Sequence, residues 1–355
     1  MAIAALHARR KIIPKTIVPV RRIVSSGRRQ SSKTTTMIQQ ATSPNPSQSI
    51  GFSFSPGGLL LPYHMGVADC LITKNYIDQS ETVLAGSSAG SIAAMAVGVG
   101  LDPIKGLEGT IAISDRCLDA GKQARGNLLP LLEEQMESLV GEEEFEFLQA
   151  RREKYHNSND DTTGTGIAMC YREIFPQQKS HFQTKFDNRE DLFRSVGYSC
   201  MFPFFTTNFP CILDFDPVTN SSGDRLRMPR LLMDGYFSLP RSQFGCPILQ
   251  DEFPESGVDR TVAISCIPQE IFGMEEVFGT ATESQDFPGK NGSVQNNLIS
   301  INDSCDETNS LSMADIFRIA TQSTSRKELT DLFERGYRDA EKWCHREEDN
   351  RKKQQ

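Results

Sequence analysis

The sequence predicts an α/β fold, a parallel sheet with helices on its faces, and three stretches carry that reading. "IGFSFS" (50–55), "ETVLAG" (81–86) and "IAMCYREIF" (167–175) are short runs rich in apolar, aromatic and β-branched residues, the composition of strands. Between and after the first two lie "GLLLPYHMGVADCLITKNYI" (58–77) and "SIAAMAVGVGL" (91–101), which have helical length and pattern. The resulting β-α-β-α order returns each strand in the same direction.

Charge separates a leader from a body. The first 49 residues hold nine of the 38 Lys and Arg and no acid, Asp69 being the first, which leaves 29 basic against 46 acidic residues for the rest. An Arg- and Ser-rich, acid-free start has organelle-transit composition, so residues 1–49 are expected to address the protein to a mitochondrion or plastid. The alternative is a disordered basic tail that touches anionic lipid or nucleic acid, on a protein of the cytoplasm or a peripheral membrane. "SPNPSQS" (43–49) reads as a linker, the folded domain as 50–345, and 346–355 as a charged tail. An acidic body argues against nucleic acid as the main partner. No run of about 18 residues is apolar enough to span a bilayer, so any membrane contact would be peripheral. Nine scattered cysteines with no C-x-x-C indicate neither a disulfide framework nor a zinc site.

Within the body, the first helical stretch puts Leu60, His64, Val67, Leu71 and Ile72 on one face, with Pro62 tolerable only in the first turn. Residues 104–150 look helical and partly exposed, "LLPLLEEQMESLVG" (128–141) being the clearest amphipathic stretch. A polar insertion at about 153–166 is expected to be a loop. A helix over 188–202 and strands over 230–235 and 260–267 follow. Residues 275–310, rich in Gly, Asn and Ser, read as a long insertion of low order. Ser325 and Glu328 form a capping box for a closing helix that lines up Leu329, Leu332, Phe333, Gly336, Tyr337, Ala340 and Trp343.

Chemistry concentrates at "GSSAGS". Gly86, Ser88 and Gly90 make a G-x-S-x-G between a strand and a helix, the turn that lifts a serine hydroxyl out of the backbone. Ser88, Asp234 and His345 obey the chain order of a histidine-triad hydrolase. Against a triad, only one strand precedes Ser88, and His345 lies in a charged helical end, "EKWCHREEDNRKK". A carboxylate in a dry site can also activate a serine. Asp234, after Leu231, Leu232 and Met233 and before Gly235, is the candidate, although Asp-Gly is also an ordinary strand-ending turn. Gly57 and Gly58, between the first strand and its helix, would present bare N–H groups to an anion, alongside the N–H of Ala89.

Taken together, "GFSFSPGGLLLPYHMGV", "GSSAGS", "SCMFPFF", "MDGYFSLP" and "LFERGYRDA" resemble the patatin-like phospholipases over about 50–345. The resemblance implies a three-layer α/β/α fold with a central, mostly parallel sheet, and a serine acyl hydrolase that cleaves fatty acyl esters of lipids. By the same resemblance Ser88 is the nucleophile and Asp234 its base, a dyad that needs no histidine, metal or cofactor. The implied partners are a lipid substrate and a peripheral membrane or lipid-droplet surface. Pro56 and Leu61 stand where many members have glycine, and Tyr236 replaces the third residue of the D-G-G/A box. The first departure leaves open a non-catalytic lipid-surface scaffold with an impaired oxyanion hole. "MFPFFTTNF" (201–209) would serve either reading as an acyl channel or membrane-facing lip, or would simply be core.

Overall fold

The structure, a computed structural model, describes residues 49–354 except 120, 122–124, 155–163, 220–224, 269–270, 279–296 and 306–308. The chain divides into two units, Met1–Pro44 and Asn45–Gln355. The described residues belong to the second, so the leader, apart from Ser49, lies outside them.

Among the described residues, eight strands form one sheet: β1 (Ile50–Phe54), β2 (Leu84–Ser87), β3 (Ile167–Phe175), β4 (Lys179–Gln183), β5 (Ile212–Thr219), β6 (Arg225–Met233), β7 (Arg260–Ser265) and β8 (Leu298–Ser300). Their order is β5-β6-β3-β2-β1-β7-β8, with β4 also paired to β3. β3, β2, β1, β7 and β8 are parallel neighbours, while β4, β5 and β6 join antiparallel. The helices are α1 (Leu61–Thr73), α2 (Ala89–Gly98), α3 (Pro103–Asp119), α4 (Leu128–Leu139), α5 (Glu142–Lys154), α6 (Arg189–Ser199), α7 (Leu249–Glu252), α8 (Met274–Phe278), α9 (Met313–Thr321) and α10 (Arg326–Gln354). This is a three-layer α/β/α fold around a mostly parallel sheet.

The layers are unequal, and strand alternation shows why. Phe52, Phe54, Leu84, Ile167, Met169, Val262 and Ile264 belong to the main core with the long helices. The residues between them, among them Ala85, Ala168 and Ala263, belong to smaller clusters beside Leu249 of α7 and Met274 of α8. Successive strand residues face opposite sides, so bulk on one face and alanine on the other let short helices lie close to the second.

α1 is buried almost all round, because α10 crosses it closely. A Cβ on Gly66 would lie 1.9 Å from Phe333 O, and one on Gly336 would lie 2.1 Å from Tyr63 O. The capping box forms as expected, with Glu328 N donating to Ser325 Oγ at 3.3 Å and Ser325 N to Glu328 Oε2 at 3.4 Å. Leu329, Leu332, Ala340 and Trp343 of the expected stripe are all buried.

Several elements differ from the sequence reading. The first helical stretch begins as a 3-10 turn, Gly58–Leu60, and α1 stops at Thr73. The segment 275–310 is no uniform insertion: α8 ends in it, and β8, fully buried, pairs with β7. The expected tail at 346–355 continues α10 as far as Gln354, with Glu347 buried and paired to Arg260 at 2.9 Å. Most of the expected loop at 153–166 lies outside the described residues.

Candidate active site

β2 passes directly into α2, and Ser88 is the hinge between them, at φ 55° and ψ −125°. Left-handed backbone is unfavourable for a residue with a side chain, so the surroundings must hold it. They do so with hydrogen bonds. Ser88 N donates to Ser199 Oγ at 2.9 Å, Ser199 Oγ donates to Cys170 O at 2.6 Å, and Ser91 Oγ donates to Ser88 O at 2.6 Å. The Ser88 side chain makes no capping bond to α2 and is 8% exposed. The flanking glycines are obligatory for space: a Cβ on Gly86 would sit 2.1 Å from Gly90 O, and one on Gly90 would sit 2.2 Å from Phe54 O.

Asp234 arrives from the opposite direction. β2 ends with Ser87 beside Cys170 of β3, and β6 ends with Met233 beside Arg172, two residues along the same strand. The two strand ends therefore converge, and the structure brings Ser88 and Asp234 together. Gly235 permits the meeting, since a Cβ there would lie 2.3 Å from Cys170 O. Asp234 is fully buried, and its Oδ1 accepts from Tyr236 N at 2.8 Å, which is the ordinary turn-capping role. Oδ2 has no formed hydrogen bond. The nearby Ser88 hydroxyl still favours the carboxylate, through a contact looser than a hydrogen bond. Burial outweighs both influences and pushes the Asp234 carboxyl up to about 7.

The loop after β1 lies beside this pair, because β1 neighbours both β2 and β7. Among the described residues, the N–H groups of Gly57, Gly58 and Ala89 donate to no backbone acceptor. Gly58 has φ 55°, and a Cβ there would lie 2.5 Å from Ala320 O on α9. His64, buried in α1, stands behind the loop with its Nε2 2.8 Å from Ser55 O. A carbonyl can only accept, so Nε2 carries the proton. Burial holds the His64 pKa down to about 4, which keeps the ring neutral. Cys266 N donates to Ser55 Oγ at 3.0 Å and fixes the same residue from β7's side.

Ser199 and His64 were not read from the sequence as parts of a site. Ser199 is an unremarked helix-end serine, and His64 was visible only as one residue of an apolar face. Neither carries a local signal: Ser199 reaches Ser88 across 111 residues, and His64 bonds the backbone carbonyl of Ser55, which no side-chain pattern marks. Among the described histidines, His64, His181 and His345, none hydrogen-bonds Ser88 or Asp234. His181 pairs with Glu173 at 2.8 Å, and His345 is exposed on α10. No group of three or more His, Cys, Asp or Glu that could hold a metal occurs among the described residues.

Aromatic rings continue outward from Asp234. Tyr236 packs on Phe202, Phe237 and Phe244 with centroids 6.3, 5.1 and 5.9 Å away. Phe202, Phe204 and Phe209, in the segment read as channel, lip or core, are exposed.

No family model matches the chain, and no curated protein matches it. Among solved structures it is similar to VipD from Legionella pneumophila, at 13% identity and a TM-score of 0.33, over 80% of this chain and 67% of that one.

Proposed function

We propose that this protein is a patatin-like serine acyl hydrolase that cleaves fatty acyl esters of lipids with a Ser88–Asp234 dyad. One observation carries the reading: a serine held in a strained elbow faces a fully buried carboxylate that has one oxygen unpartnered. A carboxyl with a pKa of about 7 is poised to take and return a proton at neutral pH.

In this mechanism Ser88 Oγ attacks the ester carbonyl carbon while Asp234 Oδ2 removes the hydroxyl proton. The carbonyl oxygen becomes an oxyanion held by the N–H groups of Gly57, Gly58 and Ala89. Collapse breaks the bond to the alcohol oxygen, which leaves with the proton from Asp234. Water then attacks the acyl-enzyme, Asp234 again taking the proton; collapse breaks the bond between Ser88 Oγ and the acyl carbon, Oγ leaves with the proton from Asp234, and a fatty acid is released. The exposed Phe202, Phe204 and Phe209 favour work at a lipid surface.

A fluorophosphonate probe tests the assignment. Wild-type protein is expected to be labelled at Ser88 alone and to release fatty acid from mixed phospholipid, galactolipid and triacylglycerol, and Ser88→Ala to do neither. Labelling that persists in Ser88→Ala refutes it. Binding of mixed-lipid vesicles with no release of fatty acid would favour the scaffold.

A further inference from the structure

The end of α6 reaches both Ser88 and Asp234. Pro203 follows closely, and the residue before a proline is disfavoured in helical backbone, so α6 stops at Ser199 and the chain turns away. The Met201 carbonyl lies past the last helical turn, where the helix offers it no N–H. It accepts instead from Asp234 N at 2.9 Å. Ser199 Oγ accepts from Ser88 N at 2.9 Å while donating to Cys170 O at 2.6 Å. Ser199 and Met201 are both buried, so solvent does not stand ready to replace either bond.

These two bonds begin where the sheet leaves off. β3 draws the strand ends together, but its pairings stop at Ser87 of β2 and Met233 of β6, each one residue short of the reacting pair. The other bonds at the site are local. Ser91 Oγ holds Ser88 O from within α2, and Tyr236 N holds the Asp234 side chain from two residues along. Bonds of that kind fix a residue against its own neighbours and leave the separation of the pair free. We infer that Ser199 is a positioning residue which, with the Met201 carbonyl two residues along, fixes the backbone of Ser88 against that of Asp234 and so sets the reach of the hydroxyl to the carboxylate. The inference rests on Ser88 and Asp234 being the reacting pair. A hydroxyl suits the place because it accepts one hydrogen bond while donating another, and alanine does neither.

Ser199→Ala tests it, with Ser195→Ala as the control. Ser195, buried one turn earlier on α6, spends its hydroxyl on its own helix, at Asp191 O 2.8 Å away. Ser199→Ala should lower kcat for a soluble ester about 10²-fold, the scale of a displacement of about 1 Å, with KM little changed. Its rate of fluorophosphonate labelling at Ser88 should fall in step, while Ser195→Ala keeps wild-type values of both. The pH midpoint of kcat/KM should stay at about 7 in Ser199→Ala, because Asp234 keeps its burial. A general loosening of the site would instead admit water to Asp234 and lower that midpoint. A folded Ser199→Ala with wild-type kcat overturns the inference, and so does a lowered midpoint or an equal loss in Ser195→Ala. Should Ser199→Ala fail to fold, Ser199→Cys, close in size and a poor partner for both bonds, takes its place in every comparison. A wild type that is neither labelled nor able to hydrolyse an ester refutes the dyad itself. A wild type that does both, beside an unimpaired Ser199→Ala, refutes the positioning role and leaves the dyad standing.

Discussion

Asp234 is the residue at which stability and chemistry oppose each other. Its carboxyl rises from 3.8 to about 7 on folding, mainly through burial. Between those values the folded state binds more protons than the unfolded one, so stability falls as pH rises through the window and levels off above it. At full shift this amounts to about 4 kcal/mol. Asp234→Asn cannot ionise, so its melting temperature should gain on wild type from pH 4 to 7, the gain levelling off above 7. The same variant should lose turnover by about 10²-fold or more, the scale of a missing general base. Wild-type kcat/KM should rise with pH to a plateau above about 7. A flat melting difference together with near-normal rates would remove Asp234 from the dyad. His64 is a positioning residue, whose N–H holds the Ser55 carbonyl behind the Gly57–Gly58 loop. His64→Ala should lower kcat about tenfold, equivalent to about 1.4 kcal/mol, with little change in KM. His64→Gln, which can present an N–H to the same carbonyl, should recover part of the loss.

At the level of elements, the elbow depends on space as much as on hydrogen bonds. Gly90→Ala forces a Cβ against the Phe54 carbonyl and should lower the melting temperature sharply. Gly197→Ala on α6, where the nearest atom would be 3.7 Å away, should leave it unchanged or raise it, by up to about 1 kcal/mol of helix propensity. β1, β2, the elbow and α10 were legible because each satisfies a strong local rule: an apolar run, a G-x-S-x-G, a capping box with an apolar stripe. β5 and most of β6 were not, since Pro217 and Pro229 and the interleaved charges of "ILDFDPVT" and "RLRMPRLLM" argue against strands. Both prolines are tolerated because they lie where the two strands pair as a ribbon beyond β3, whose register with β6 starts only at Leu231. β8, three residues long, is too short for any period to show. At the candidate site, sequence reading singled out Ser88, Asp234 and the glycines Gly57, Gly58, Gly86, Gly90 and Gly235, but not Ser199, which reaches Ser88 across 111 residues, or His64, which bonds a backbone carbonyl that no side-chain pattern marks.

For the molecule as a whole, the leader and the body remain separable on charge. Ser49 is tied to the body, its N–H donating to Asp259 Oδ2 at 2.8 Å. A protein starting at Ser47 keeps that contact and should match the full chain in melting temperature and in ester hydrolysis. Residues 1–49 fused to a fluorescent reporter should carry it to mitochondria or a plastid. A diffuse reporter, or a truncated protein that melts early, would assign the segment to the fold or to surface binding.

The convergence of β2 and β6 on neighbouring residues of β3 also orders events in time. Ser88 and Asp234 come from distant parts of the chain and meet only once β6 has docked on β3, a contact of high sequence separation and therefore slow to form. On the proposed function, a chain whose β6 has not docked holds its serine without its base. On that function, hydrolysis is therefore unavailable to any chain in which β6 has not yet paired with β3.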